Sequence, residues 1–218
     1  MQTAILLAAG RGERLRPITD VTPKPLCCFR GKPLIAYHLE NLRTAGFTHI
    51  IINHAHLGDQ IRRYILEMNM QDIQIDFSPE PPGALETGGG LYNIIQRFGL
   101  KTPFLCVNTD IYTQFPFQKL VTQPLSHSFA HLILVPNPSH NPQGDFGLSS
   151  EQFLTLDTPR YTMAGITQYN PQLWIQCKPG RYSIVPLLKA FIKKQKVTGE
   201  IYHGTWFDIG SPERLKHL

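Results

Sequence analysis

The chain has 218 residues, of which 42% are hydrophobic and 17% charged, with a net charge of +5. That length accommodates one well-buried α/β domain, and the mild basic excess suits a small anionic substrate. No dense Lys/Arg tract with interleaved aromatics occurs, so nucleic acid is excluded as the expected partner. No apolar run approaches transmembrane length. Met1-Gln2-Thr3 leads straight into an apolar strand, so a cytoplasmic protein without leader or membrane contact is expected. The four cysteines, Cys27, Cys28, Cys106 and Cys177, match neither a zinc spacing nor a disulfide framework. Reduced thiols are expected.

Taken in order, Ala4-Ile5-Leu6-Leu7 reads as a buried strand that feeds a loop carrying Gly10, Gly12, Arg11, Arg14, Arg16 and Lys24. Glycines allow a sharp turn and close backbone approach to a ligand, while Arg and Lys supply charge, the combination that holds a polyphosphate. The loop is not a dinucleotide fingerprint, since Leu15 stands where a third glycine is needed, and no Gly-Lys-Ser/Thr follows. Pro33 to Leu42 has helical spacing and stops at Gly46; His49 to Asn53 is a short buried strand; Leu57 to Met68 is helical; Ile73 to Phe77 alternates as a strand. Ser78 to Gly90, with Pro79, Pro81 and Pro82, reads as loop, its glycine triplet opening a helix from Leu91 to Phe98. Pro103 to Val107 is a strand ending on Asn108-Thr109-Asp110.

The first half therefore predicts a parallel sheet with helices on both faces, with Gly10 to Arg14, Asn53, Glu80 and Asn108 to Asp110 at strand ends, where ligands of open sheets bind. In the second half Ala130 to Val135 and Met163 to Tyr169 read as strands, and Asp145 to Leu148 with Phe153 to Leu156 as a hairpin. Pro136 to Gln143 is a long loop, Ile184 to Lys194 a helix, and a last helix is expected from Ser211.

Read whole, Gly10-x-Gly12-x-Arg14-Leu15-x-Pro17-Ile18-Thr19 followed by Thr22-Pro23-Lys24-Pro25-Leu26 resembles the signature of the sugar-1-phosphate nucleotidyltransferases. The resemblance continues through Leu85 to Gly90 and Asn108-Thr109-Asp110 to Trp206-Phe207-Asp208-Ile209-Gly210. Asn53-His54-Ala55-His56, Ser78-Pro79-Glu80, Glu86-Thr87-Gly88-Gly89-Gly90 and Gly144-Asp145-Phe146 extend it to the bacterial branch that uridylylates N-acetylmuramic acid 1-phosphate in peptidoglycan recycling. The resemblance implies a single-domain, Rossmann-like nucleotidyltransferase fold with a mostly parallel, mixed sheet. Residues 1–115 would form its nucleotide-binding half and 116–218 its sugar-binding half. UTP and a sugar 1-phosphate, with Mg²⁺, would be the substrates and cofactor of a monomer or weak homo-oligomer.

In such chemistry a sugar-phosphate oxygen attacks the α-phosphorus in line and pyrophosphate leaves, so catalysis is positioning and charge neutralisation. By the resemblance, Ala9, Gly10, Gly12, Glu13, Arg14 and Lys24 would hold the triphosphate, and Thr87 and Gly88 would lie along the base. Asn108, Asp145 and Gly165 would face the sugar, Asp110 and Asp208 would share the metal, and Arg14, Lys24, Asp110 and Asp208 form the catalytic set. Trp206 is expected to be a core or wall aromatic that positions Asp208, and His54 and His56 to be polar strand-end residues, there being no third ligand. Relatives acting on glucose and mannose phosphates carry Glu-Lys-Pro after the hairpin. Leu156-Asp157-Thr158-Pro159-Arg160 has no lysine here and leaves Arg160 in its place. The alternatives are a guanylyl- or thymidylyltransferase of another hexose or heptose 1-phosphate, and a non-catalytic nucleotide-sugar-binding regulator, which need not keep that catalytic set.

Overall fold

The computed structural model of the chain describes residues 2–211, 214 and 215. Its first half runs β1 (Thr3–Ala8), α1 (Ile18–Val21), β2 (Cys28–Phe29), β3 (Lys32–Pro33), α2 (Leu34–Thr44), β4 (His49–His54), α3 (Gly58–Glu67), β5 (Gln74–Pro79), α4 (Glu86–Phe98) and β6 (Phe104–Asn108). The second half runs β7 (Ile111–Thr113), α5 (Gln118–Thr122), β8 (Ala130–Val135), β9 (Phe146–Leu148), β10 (Leu154–Thr155), β11 (Arg160–Tyr169), α6 (Val185–Ile192), β12 (Val197–Ile201) and β13 (Trp206–Asp208).

Alternation along the strands decides which helix lies on which face. Ala4, Leu6, Ile50 and Ile52 share one core with Ile35 and Leu39 of α2 and Ile61 and Ile65 of α3. Ile5 and Ile51 point to the other face, where Leu91, Ile94 and Ile95 of α4 and Leu188 and Ile192 of α6 cover them. A strand buried on both faces reads as a continuous apolar run, as β1 and β4 do.

Strands β5, β4, β1 and β6 are parallel, in that order. β11 then runs antiparallel between β6 and β8, and β12 closes the far edge parallel to β8. The sheet is thus mixed, with helices on both faces, as expected. β11 shifts register between Met163 and Thr167, and its outer end leaves β8 to pair with β9 of the β9–β10 hairpin. The irregularity contains Gly165, at φ +73, packed against the side chain of Asn108.

The structure corrects the reading of Ser78 to Gly90. α4 begins at Glu86, so Gly88, Gly89 and Gly90 lie inside its first turns and do not precede them. Tertiary packing overrides the poor helix propensity of glycine. A Cβ at Gly89 would lie 2.0 Å from the Gly180 carbonyl oxygen, and one at Gly88 would lie 2.6 Å from the Tyr182 ring. β7 and β12 also form where no strand was expected. β7 pairs antiparallel with β13 in a short ribbon, fixed by a 6.1 Å stacked contact between Tyr112 and Phe207. The helix expected from Ser211 lies mostly outside the described residues. All four cysteines are free, and among the described residues no helix is long and apolar enough to cross a membrane.

Candidate active site

A cavity of about 520 Å³ opens at the carboxyl ends of β1, β4 and β6. Ala9, Gly10, Arg11, Gly12, Glu13, Arg14 and Lys24 line one side, Thr87 and Glu86 the other, and Asn108 and Asp110 the floor toward the second half. A smaller space of about 210 Å³ adjoins it, lined by Asn108, Asp110, His140, Asn141, Gly165, Trp206 and Asp208. Asn108 and Asp110 border both.

The loop after β1 is built around Gly12 and Leu15. Gly12 adopts φ +66, a left-handed conformation, and its carbonyl accepts from the Leu15 N–H and the Thr19 hydroxyl, both at 2.8 Å. A Cβ there would come within 2.9 Å of Thr19 Cγ2 and 3.1 Å of Lys24 Cβ. Leu15 is fully buried, so the residue that breaks the dinucleotide pattern is the anchor of a different loop. Gly10, by contrast, has open space where a Cβ would lie, at the cavity.

Lys24 starts a short 3₁₀ turn after Pro23, its stem buried, and its Nζ donates to Asp110 Oδ2 at 2.8 Å. Asp110 leaves the end of β6, and the β7–β13 ribbon brings Asp208 opposite Ile111, the Ile209 N–H donating to the Asp110 carbonyl at 2.8 Å. Both carboxylates border the smaller space, so they share a face of the fold.

Asp208 Oδ2 accepts from Arg214 Nη1 at 2.7 Å and lies 2.9 Å from His140 Nε2. Gly210 leaves room for the other oxygen, Oδ1: a Cβ there would lie 2.7 Å from Oδ1 and 3.1 Å from Arg14 Nη2. Arg14, Lys24, Asp110 and Asp208, spread over almost the whole sequence, therefore converge. Two carboxylates with hydrogen bonds on Oδ2 suit a hard divalent cation that takes one or two protein carboxylates and fills its shell with water and phosphate. Among the described residues no larger cluster of His, Cys, Asp and Glu assembles.

Beneath Asp110, His38 of α2 is fully buried and donates from Nε2 to the Ile111 carbonyl at 2.8 Å. Burial pulls its pKa down to about 4, against the weaker opposing effects of that hydrogen bond and of Asp110. His38 is therefore neutral near pH 7.

Other expected residues lie at different distances from the cavities. Gly88 sits behind the wall: its carbonyl accepts from the buried Trp174 Nε1 at 3.0 Å, and Tyr182 covers its Cα. The Asp145 carboxylate accepts from the Met163 N–H at 2.8 Å and from Asn141 Nδ2 at 3.3 Å, behind the smaller space that Asn141 and Met163 line. The Arg160 guanidinium donates to the Leu156 carbonyl in the hairpin. Trp206 forms a wall whose Nε1 donates to the Ala164 carbonyl at 2.8 Å. His54 is buried against Gly58 and Phe77, while His56 donates to the Thr19 carbonyl, so the two make no chelating pair.

Two features have no counterpart among the residues singled out from sequence, and a third is only partly visible there. Arg181 borders the larger cavity and pairs with Glu86 at 3.3 Å; it sits in a Pro-Gly turn that carries no periodicity. His140 and Arg214 meet Asp208 from a long loop and the C-terminal segment. Asn53 and Glu80 are visible as strand-end polar residues, but their linkage is not.

Residues 3–152 match the model of the nucleotidyl transferase family. The chain is 41% identical, over 98% of its length and 95% of the relative's, to an N-acetylmuramate alpha-1-phosphate uridylyltransferase of Neisseria meningitidis. It is 28% identical to a mannose-1-phosphate guanylyltransferase catalytic subunit beta of Drosophila pseudoobscura, covering 96% of this chain and 59% of that longer protein. Among solved structures, an inositol-1-phosphate CTP transferase of T. maritima superposes with a TM-score of 0.81 at 17% identity, covering 98% of this chain and 91% of that one. That likeness extends to the fold. The nucleotide-sized cavity at the strand ends, the converging cationic and acidic side chains and the matched sequence agree: the chain belongs to the nucleotidyl transferase family.

Proposed function

We propose that the protein transfers a uridylyl group from UTP to N-acetylmuramic acid 1-phosphate, giving UDP-N-acetylmuramic acid and pyrophosphate in cytoplasmic peptidoglycan recycling. The observation that carries this reading is the 41% identity over nearly the full length to the Neisseria relative of that activity. The absence of a lysine in residues 156–160 agrees with a sugar site unlike that of the glucose and mannose enzymes.

In this reading the larger cavity takes the nucleoside triphosphate. Backbone N–H groups of the loop at Gly10 to Gly12 would bind the phosphates, and Arg14 would neutralise the departing pyrophosphate. Lys24 would bridge the phosphates as a point charge held in place by its buried stem. Thr87 and Gly88 would shape the base side, and Asn108 and Gly165 the sugar side, with Asp145 holding the Asn141 and Met163 wall. Asp110 and Asp208 would hold Mg²⁺, which when bound offsets negative charge on the phosphates and orients them. No residue needs to form a covalent intermediate, because the sugar phosphate is itself the nucleophile.

A panel of nucleoside triphosphates against sugar 1-phosphates, read by Mg²⁺-dependent pyrophosphate release, tests the assignment. Turnover is expected with UTP and N-acetylmuramic acid 1-phosphate. Rapid turnover with GTP and mannose 1-phosphate but none with UTP would overturn it. Asp110→Ala is expected to keep the fold and lose nearly all turnover; near-normal activity in that variant would favour a regulatory, non-catalytic protein.

A further inference from the structure

A largely buried polar chain forms part of the wall of the larger cavity and links one side of it to the other. Asn53 Oδ1, at the end of β4, accepts the Ala8 N–H at 2.7 Å. Asn53 Nδ2 donates to Glu80 Oε1 at 2.7 Å, and Glu80 Oε2 accepts the Leu85 N–H at 2.7 Å. Asn53 is 3% exposed and Glu80 9%. The amide orientation is dictated, since the Ala8 N–H can only donate and the carboxylate can only accept. Gly90 makes room for the chain: a Cβ there would lie 2.5 Å from Glu80 Oε1 and 3.3 Å from Asn53 Nδ2.

A buried carboxylate is a poor device for stability alone, because its desolvation is offset only by the bonds it receives, and an apolar pair of similar volume folds as well or better. What the polar pair adds over an apolar one is a set of three directional bonds that tie the two loops to each other. Ala8 precedes Ala9 and Gly10 on the phosphate-facing side, while Leu85 precedes Glu86 and Thr87 on the opposite side. We propose that Asn53, acting through Glu80, is a positioning residue that sets the distance between the loop after β1 and the first turn of α4. The inference rests on reading the larger cavity as the nucleotide site. In an enzyme that works by alignment, a displacement of about 1 Å costs roughly 100-fold in rate.

The test is a cycle of four proteins: wild type, Asn53→Asp, Glu80→Gln, and the double variant. Asn53→Asp alone sets two carboxylates against each other. Glu80→Gln alone turns an amide donor onto either the Leu85 N–H or Asn53 Nδ2. In the double variant the two side chains exchange chemistry. The carboxylate, now on β4, accepts from the Ala8 N–H and from the new amide at the end of β5. The carbonyl oxygen of that amide accepts the Leu85 N–H, so all three bonds and the single charge return. Steady-state kinetics are run with whichever nucleoside triphosphate the wild type uses best, beside thermal unfolding, so a wrong substrate assignment would appear in the wild type alone.

Each single variant is expected to lose on the order of tenfold or more in kcat/KM for the nucleotide at temperatures where it is fully folded, and the double variant to regain most of it. If Asn53→Asp does not fold, Glu80→Gln and its rescue carry the same comparison. Single variants with wild-type kinetics, or a double variant with the product of the two losses and no recovery, would overturn the proposal. So would a recovery confined to melting temperature.

Discussion

At the level of single residues, the site sets acids and bases of opposite charge against one another where phosphate and metal are proposed to bind. Lys24 illustrates the consequence. Its side chain is 10% exposed, closed in by Gly12 on one side and paired with Asp110 on the other. The stem is closed in at Cβ and Cδ by Gly12, and the compact ammonium meets Asp110 at a distance and angle that a longer, planar guanidinium does not reproduce. Both Lys24→Met and Lys24→Arg are therefore expected to reduce kcat/KM by roughly 100-fold, the size of losing one preorganised charge in a water-poor site. Full activity in Lys24→Arg would show that charge alone suffices.

Among the elements, α4 is the instructive case. Its glycines look in the sequence like a flexible loop, yet they are the contact surface through which residues 180–182 and Trp174 grip the start of a helix. Gly89→Ala would drive a methyl into the Gly180 carbonyl, and overpacking of that kind costs about 1–3 kcal/mol, read as a lowered melting temperature. Gly10→Ala has open space and a negative φ, so its stability is expected to stay within about 0.5 kcal/mol of wild type. Any loss of activity there would come from the cavity wall. Trp174→Phe keeps the ring packing but removes the donor to Gly88, with an expected cost of about 1 kcal/mol. An unchanged unfolding midpoint would show that the Gly88 carbonyl finds another partner.

Across the molecule as a whole, His38 ties α2 to the strand that follows Asp110, and its burial makes stability depend on pH. The unfolded chain takes up a proton on this imidazole near pH 6.5, while the folded chain resists it down to about pH 4. Between those values the unfolded state binds more protons. The stability held by the neutral imidazole is thus complete above pH 6.5 and shrinks as pH falls toward 4, by about 3 kcal/mol in all. Denaturant unfolding of the metal-free protein at pH 7 and pH 4.5 should show a loss about 2 kcal/mol larger for wild type than for His38→Asn. Equal losses would mean that other groups carry the acid sensitivity.

Much was legible in the amino-acid order because the physics is local. Apolar runs and glycine breaks marked β1, β4, β6, α2 and α3. The joined pattern from Gly10 to Lys24, continued at Asp110 and Asp208, identified the family. Short-range periodicity could not reveal β12 or the β7–β13 ribbon, whose strands exist only because a distant partner supplies their hydrogen bonds. Nor could it place Glu86 to Gly90 in a helix, since glycine's weak propensity is overruled only by the close approach of residues 180–182. The order of residues was enough to establish the chemical inventory: a cationic glycine loop, two carboxylates and an alternating α/β pattern. It took the packed chain to show that Lys24 meets Asp110, that Arg14 and Asp208 both approach Gly210, and that Asn53 and Glu80 join the two sides of the cavity. Those contacts span most of the chain, and no local preference encodes them.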